Sequence, residues 1–168
     1  MKKLFSLLVV TACSLVIIAG CSSKNSVKLG DTISITYTAT FSDGQIFEQT
    51  TQQKPLTFTV GSGQVIEGLD KGVIGMNVKT IKTITIKPEQ GYGKLYNENN
   101  VQRVSKFIFD KLSITPQNGA TQKLGNIEGI IKGTEKDENG NILVLFDINP
   151  RQTWDTLKYK VTILAKQQ

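Results

Sequence analysis

Two stretches at opposite ends of the chain alternate apolar and polar residues with a period of two. In Thr32–Thr40, Ile33, Ile35, Tyr37 and Ala39 fall on one face and Thr or Ser on the other; in Thr156–Leu164, Leu157, Tyr159, Val161 and Ile163 share a face. Successive side chains of a strand point to opposite sides, so each stretch predicts a strand with one face on a core and one in water. A strand of that kind needs partners, and half-wet strands belong to antiparallel sheets. The intervening sequence must therefore return the chain to where it began.

Shorter signals fill in the sheet. Ser42-Asp43-Gly44 reads as a turn, with Asp starting it and Gly taking the φ that other residues avoid. Leu56, Phe58 and Val60 alternate after Pro55, and Ile84 and Ile86 mark a strand over Thr80–Lys87, where Ile81 has the wrong parity and is expected to be exposed or at a bulge. Val65, Ile66, Leu69, Val73 and Ile74 recur at helical spacing, although Gly68 and Gly72 weaken that helix. The character changes after Tyr96. Tyr96–Asn100 is polar and Ser113–Gln122 is rich in turn formers, while Asn126–Thr134 and Asn141–Asp147 predict two strands joined by Glu135–Gly140, whose Asn139-Gly140 step is a hairpin signal. The expected class is α+β: an antiparallel sheet wrapped on one short helix, with a small, mostly β domain inserted. About fifty residues make a marginal domain that leans on the body to which its ends are tied.

The N-terminus is expected to be lost. Lys2 and Lys3 precede the apolar run Leu4–Ala19, the layout of a secretory signal. Its end, Ile18-Ala19-Gly20-Cys21, resembles the lipobox of bacterial lipoproteins, which implies cleavage before Cys21 and lipidation of its sulfur. Residues 1–20 are then signal and 21–28 a polar tether. Ser22, where an acidic residue could stand, resembles an outer-membrane sorting pattern, so the implied address is the extracytoplasmic cell envelope, facing the periplasm if the bacterium has two membranes. Two or more acyl chains anchor stably because each buried methylene contributes about 0.8 kcal/mol.

Composition removes several function classes. The 168 residues include no His. Ser-His-Asp and Cys-His catalysis and His-bearing zinc sites are thereby excluded. Cys13 leaves with the signal, so Cys21 has no cysteine with which to form an intramolecular disulfide or metal cluster. Without Lys2 and Lys3, 18 basic residues face 14 acidic ones, with no basic block and no interleaved aromatics, which does not point to nucleic acid. Gly61-Ser62-Gly63 lacks the third Gly of a dinucleotide fingerprint, since position 66 is Ile. Asp137–Asn141 has its Gly fourth rather than sixth and lacks the closing Glu of a calcium loop, so it reads as a hairpin tip.

An ordered set of segments resembles the FKBP-type peptidyl-prolyl cis-trans isomerases. It runs through Ile35-Thr-Tyr37-Thr, Asp43-Gly44-Gln-Ile-Phe47-Glu48, Pro55-Leu56-Thr-Phe58-Thr-Val60-Gly61, Gln64-Val65-Ile66-Glu-Gly68-Leu69, Gly72-Val73, Gly75-Met76, Ile86-Lys-Pro88-Glu-Gln-Gly91-Tyr92-Gly93 and Leu157-Lys-Tyr159-Lys-Val161. The match breaks at Asn97 and resumes near Asn149-Pro150; the run Tyr96-Asn-Glu98-Asn99-Asn-Val101-Gln102-Arg103-Val104 resembles the start of the insert-in-flap domain of the SlyD-like branch, which binds unfolded chains. The resemblance implies an isomerase domain of residues 29–96 plus 149–168 and a chaperone-like insert of residues 97–148, whose segments Ile127–Ile131 and Ile142–Phe146 are expected to offer apolar surface to a client. The His- and Cys-rich metal-binding tail of that branch is missing, so no metal and no cofactor are expected.

The family's site carries over by position to Tyr37, Phe47, Glu48, Leu56, Phe58, Val65, Ile66, Leu69, Tyr92 and Tyr159, with the Ile66 N–H and the Tyr92 hydroxyl implied to donate to the carbonyls flanking a prolyl imide. Glu48, Leu56, Leu69 and Tyr159 depart from the commoner Asp, Phe, Trp and Phe. The chemistry asks for no nucleophile, proton shuttle or metal. Amide resonance sets a barrier of ~18–20 kcal/mol, and a site that favours the twisted imide over the planar one lowers it. The implied partners are unfolded or proline-containing polypeptides. Two functions stay open on these residues, an isomerase and a weakly catalytic holdase of the same fold.

Overall fold

A computed structural model describes residues 25–167. Cys21, with the expected signal and lipidation site, lies outside the described residues. Among the described residues nine strands and two short α-helices form two antiparallel sheets.

The first sheet is built on the two alternating stretches. Strand β1 (Thr32–Thr40) lies antiparallel to the last strand, β9 (Leu157–Gln167), and their apolar faces coincide: Ile35 stands opposite Ile163, Tyr37 opposite Val161 and Ala39 opposite Tyr159. The other edge of β1 is shared by β2 (Ile46–Gln49), which pairs with its second half, and β3 (Leu56–Thr59), which pairs with its first. On the wet face Ser34 and Thr57 hydroxyls meet at 2.7 Å and those of Thr32 and Thr59 at 3.0 Å. Strand β4 (Ile81–Ile86) closes the far side of β9, placing Ile84 and Ile86 inward and leaving Ile81 63 % exposed, as its parity requires.

Helix α1 (Glu67–Gly72) is shorter than the apolar spacing predicts, and its two glycines have a packing reason. A Cβ on Gly68 would stand 2.6 Å from Ile86 Cγ2, and one on Gly72 2.6 Å from Ile84 Cγ2. Spaced four apart, they share a helix face and let the backbone rest directly on β4. The Lys82 ammonium donates to the Gly72 carbonyl at 2.9 Å, placing a cation at the helix C-terminus.

The chain before β1 is already attached. Val27 is buried, exchanges backbone hydrogen bonds with Met76 and Gly75, and follows Ser26, which bridges to Asn77. A bulge between Ser34 and Ile35 leaves Leu164 unopposed and turns Lys166 to the core side, where its ammonium meets the Asp31 carboxylate at 3.1 Å and the Ser26 carbonyl at 3.1 Å. Asn25–Lys28, within the expected tether, therefore belong to the folded body.

The second sheet has the order β5 (Val101–Ser105), β8 (Ile142–Asp147), β7 (Ile127–Lys136), β6 (Thr121–Leu124). The predicted hairpin is present, with β7 reaching two residues further than its apolar pattern and the Asp137 carboxylate capping the tip through Asn139 and Asn141. Helix α2 (Lys106–Lys111), which the sequence did not signal, inserts Phe109 beside Ile131, Val144 and Phe146. The strand segments expected to present apolar surface divide it: Ile131, Val144 and Phe146 are buried, Ile130, Leu143 and Leu145 half-buried, and Ile127 and Ile142 exposed. The exposed apolar side chains cluster instead on and after α2, at Phe107, Ile108 and Leu112.

One buried side chain joins the two crossings between the sheets. Asn149 accepts from the Asn97 N–H at 2.9 Å and from the Asn100 amide at 3.2 Å, and donates to the Asn97 carbonyl at 2.9 Å and to Asp147 Oδ1 at 2.7 Å.

Candidate active site

Nine of the ten residues carried over from the sequence belong to one aromatic and aliphatic assembly on the inner face of the first sheet. Tyr37, Phe58, Leu69 and Tyr159 are buried in its core, and Phe47, Leu56, Val65, Ile66 and Tyr92 pack against it partly exposed. Glu48, the tenth, is exposed on β2. The rings are mutually oriented: Tyr37 and Tyr159 centroids lie 5.3 Å apart, Phe47 meets Tyr159 edge-on at 6.2 Å, and Phe41 backs Phe47 at 4.6 Å.

A cleft of about 330 Å³ opens over this assembly, lined by Phe47, Glu48, Tyr92, Leu95, Pro150, Gln152 and Thr153. Of the ten, Phe47, Glu48 and Tyr92 therefore form its wall. The other seven do not line it: Tyr37, Phe58, Leu69 and Tyr159 lie in the core of the first sheet, and Leu56, Val65 and Ile66 pack against that core. Its dimensions suit a small ring such as proline's, and its lining is mostly apolar.

Two hydroxyl pairings order the polar atoms. Burial pushes the Tyr37 hydroxyl above its ordinary range, and its hydrogen bond to the Glu48 carboxylate pushes it further. Burial does the same to Tyr159, reinforced by its hydrogen bond to the Tyr92 hydroxyl. Both buried tyrosines thus stay neutral. Ile66 stands at the start of α1 with extended backbone, and its N–H donates to no acceptor among the described residues, while its carbonyl takes the Leu69 and Asp70 N–H groups.

The remaining wall, Leu95, Pro150, Gln152 and Thr153, comes from the segments that enter and leave the second sheet, and residue-type patterning did not reveal it. Nor did it reveal Arg151, in the short 3-10 turn Arg151–Thr153. Its guanidinium lies 4.2 Å over the Phe41 ring and binds Asp155 and Asp43, each at 2.9 Å, and Gln45 at 3.2 Å. It ties the turn before β2 to the segment after β8, and so braces Phe47 through Phe41.

Comparison with known proteins decides the class. The family model described as FKBP-type peptidyl-prolyl cis-trans isomerase matches residues 23–164. The chain belongs to this family. It is an isomerase of the FKBP type. The short-type peptidyl-prolyl cis-trans isomerase of Methanocaldococcus jannaschii is 30 % identical over 154 residues, covering 83 % of this chain and 93 % of that one. The FKBP-type isomerase SlyD of Haemophilus influenzae is 29 % identical over 139 residues, covering 81 % and 70 %. FK506-binding protein 2 of Yarrowia lipolytica is 39 % identical over only 75 residues, 44 % of this chain and 51 % of its own length.

Proposed function

We propose that the cleft of Phe47, Glu48 and Tyr92, backed by Tyr37, Phe58, Leu69 and Tyr159 and flanked by Leu56, Val65 and Ile66, binds the prolyl ring of a polypeptide and turns its imide bond. The aromatic assembly beneath the cleft carries this reading. Water excluded by the rings favours the twisted amide, whose charge separation is smaller than that of the planar one. The Tyr92 hydroxyl and the free Ile66 N–H are the donors for the carbonyls on either side. Every ~1.4 kcal/mol of preference for the twisted state gives a tenfold acceleration.

The wider role we propose is assistance to folding in the cell envelope, with Cys21 lipidated and the second sheet, residues 97–148, acting as an inserted client-binding domain. The exposed Phe107, Ile108 and Leu112 favour α2 as the surface that holds an unfolded chain. The same surface would serve a holdase with a slow cleft, which is the second reading. Turnover of an X-Pro tetrapeptide by the full chain separates the two: catalysis lost in Phe47→Ala supports the isomerase, and no catalysis in the wild type leaves the holdase. Replacing residues 97–148 by a short loop, with folding verified by circular dichroism, should slow refolding of a proline-limited protein more than tetrapeptide turnover, because tethering raises the local concentration of prolyl bonds. For the anchor, the wild type should fractionate with membranes and carry acyl mass, and Cys21→Ser should not.

A further inference from the structure

A second cleft, of about 550 Å³, lies beside the first and shares Thr153 with it. Its lining includes Pro88, Tyr96, Trp154, Lys132, Lys94 and Glu89. The wall between the two clefts is the single 3-10 turn Gly93–Leu95 and its flanks: Tyr92 and Leu95 face the first, and Gly93, Lys94 and Tyr96 the second. We propose that this cleft is a subsite for a bulky aromatic side chain of the same polypeptide, close in sequence to the proline that is turned. The inference rests on the first cleft being the prolyl site.

The chemistry of the walls selects the occupant. Tyr96, Trp154 and Pro88 offer flat apolar faces, the surfaces on which an aromatic ring packs. The charges do not ask for an ionic partner. Lys132 is the extra residue of a bulge between Ile131 and Gly133, which aims it at the junction; there its ammonium lies 3.9 Å from the fully buried Asp147 carboxylate and 5.6 Å from the centre of the Tyr96 ring. Lys94 and Glu89 line the same cleft with opposite signs. Trp154 is held by its indole N–H, which donates to the Asn149 carbonyl at 3.1 Å, so this wall is anchored to the clasp between the sheets. A helical turn with its side chains is about 10 Å across. An extended chain covers that distance in about three residues.

Trp154 is the only tryptophan in the chain; it lines this cleft and not the prolyl one, and it also borders the hollow of Phe41 and Arg151. The test offers the full chain pairs of peptides, each with one proline and differing only in Phe or Ala three residues before or after it. In at least one pair the Phe peptide should shift the Trp154 emission and lower KM about tenfold relative to its Ala twin, the effect of partly burying a phenyl ring. Tyr96→Ala should bring the ratio of the two KM values toward one, whatever happens to the absolute rate; the wild-type comparison stands without it should that variant not fold. Equal KM values in both pairs overturn the subsite, with or without an emission change, since an aromatic group that binds without helping the bound proline is not part of one polypeptide site. Absence of turnover for every peptide is the distinct failure of the prolyl reading, and the subsite falls with it.

Discussion

The two sheets of this protein obey the same pairing rules but differ in how much they bury. The first gathers seventeen buried apolar residues, from Val27 to Ile163, under one helix and the N-terminal segment. The second gathers four, Phe109, Ile131, Val144 and Phe146, and leaves Phe107, Ile108 and Leu112 in water. Stability scales with apolar area removed from water, so the first sheet can hold a cleft of fixed shape while the second depends on its attachment. The difference teaches where rigidity has been placed. The cleft lined by Phe47, Glu48 and Tyr92 stands on the large core, and the exposed apolar residues of α2 stand on the small one.

The sharpest way to break the comparison is to hollow each core in turn. Phe109→Ala should remove about 3–5 kcal/mol and Ile35→Ala about 2–5 kcal/mol. Amide exchange should show Phe109→Ala opening residues 101–147 while β1 and β9 stay protected and tetrapeptide turnover persists; Ile35→Ala should loosen the first sheet and lose turnover. Uniform exchange in both variants would mean one cooperative unit rather than two.

The Asn149 clasp comes next in size. Asn149→Leu removes a buried amide and leaves the Asn97 N–H and carbonyl without it, which should cost about 1–3 kcal/mol. Thermal unfolding should then separate into two transitions, the lower belonging to the second sheet. At the cleft wall and in the core beneath it, Tyr92→Phe and Tyr159→Phe each remove the neutral hydroxyl pairing that the two share, about 0.5–1.5 kcal/mol, and should slow tetrapeptide turnover up to tenfold without changing the melting profile of the second sheet.

Acid should affect the first sheet's N-terminal attachment least visibly. The Lys28 N–H, 2.7 Å from Asp31, and then the Lys166 ammonium hold the Asp31 carboxyl below its ordinary 3.8. A depressed carboxyl contributes stability that is fully present above the unfolded value and is lost as pH falls through the folded one, because the unfolded chain then binds more protons. Melting temperature should thus hold from neutrality to about pH 4 and decline below it, and Asp31→Asn should flatten part of that decline.

The parts of the fold legible in the sequence are those whose signal is long and periodic. Strands β1 and β9 span four or more alternations, and even the exposure of Ile81 follows from parity. The hairpin at Asp137–Asn141 announces itself by turn chemistry. Strand β2 does not, since its four residues carry a single half-buried side chain, Phe47. Helix α2 does not either: Phe107, Ile108 and Phe109 are consecutive, and six residues are too few for a 3.6-residue period to appear. Gly68 and Gly72 argue against a helix by propensity and are explained only by the nearness of β4. The aromatic members of the cleft could be carried over by family resemblance, but Leu95, Thr153 and the Asn149 clasp come from segments separated by the whole second sheet, and no local pattern connects them.

Strand β9 lies between β1 and β4 although it follows every other strand in the chain. A polypeptide that emerges from its N-terminus first, from a ribosome or through a membrane, therefore exposes all of β1, α1 and β4 before the strand that joins them exists. Residues 101–147, by contrast, are complete while β9 is still to come. The second sheet is thus available to close early, with the first held as an open edge until the final stretch arrives. An edge left waiting in this way is a site for mispairing until β9 covers it.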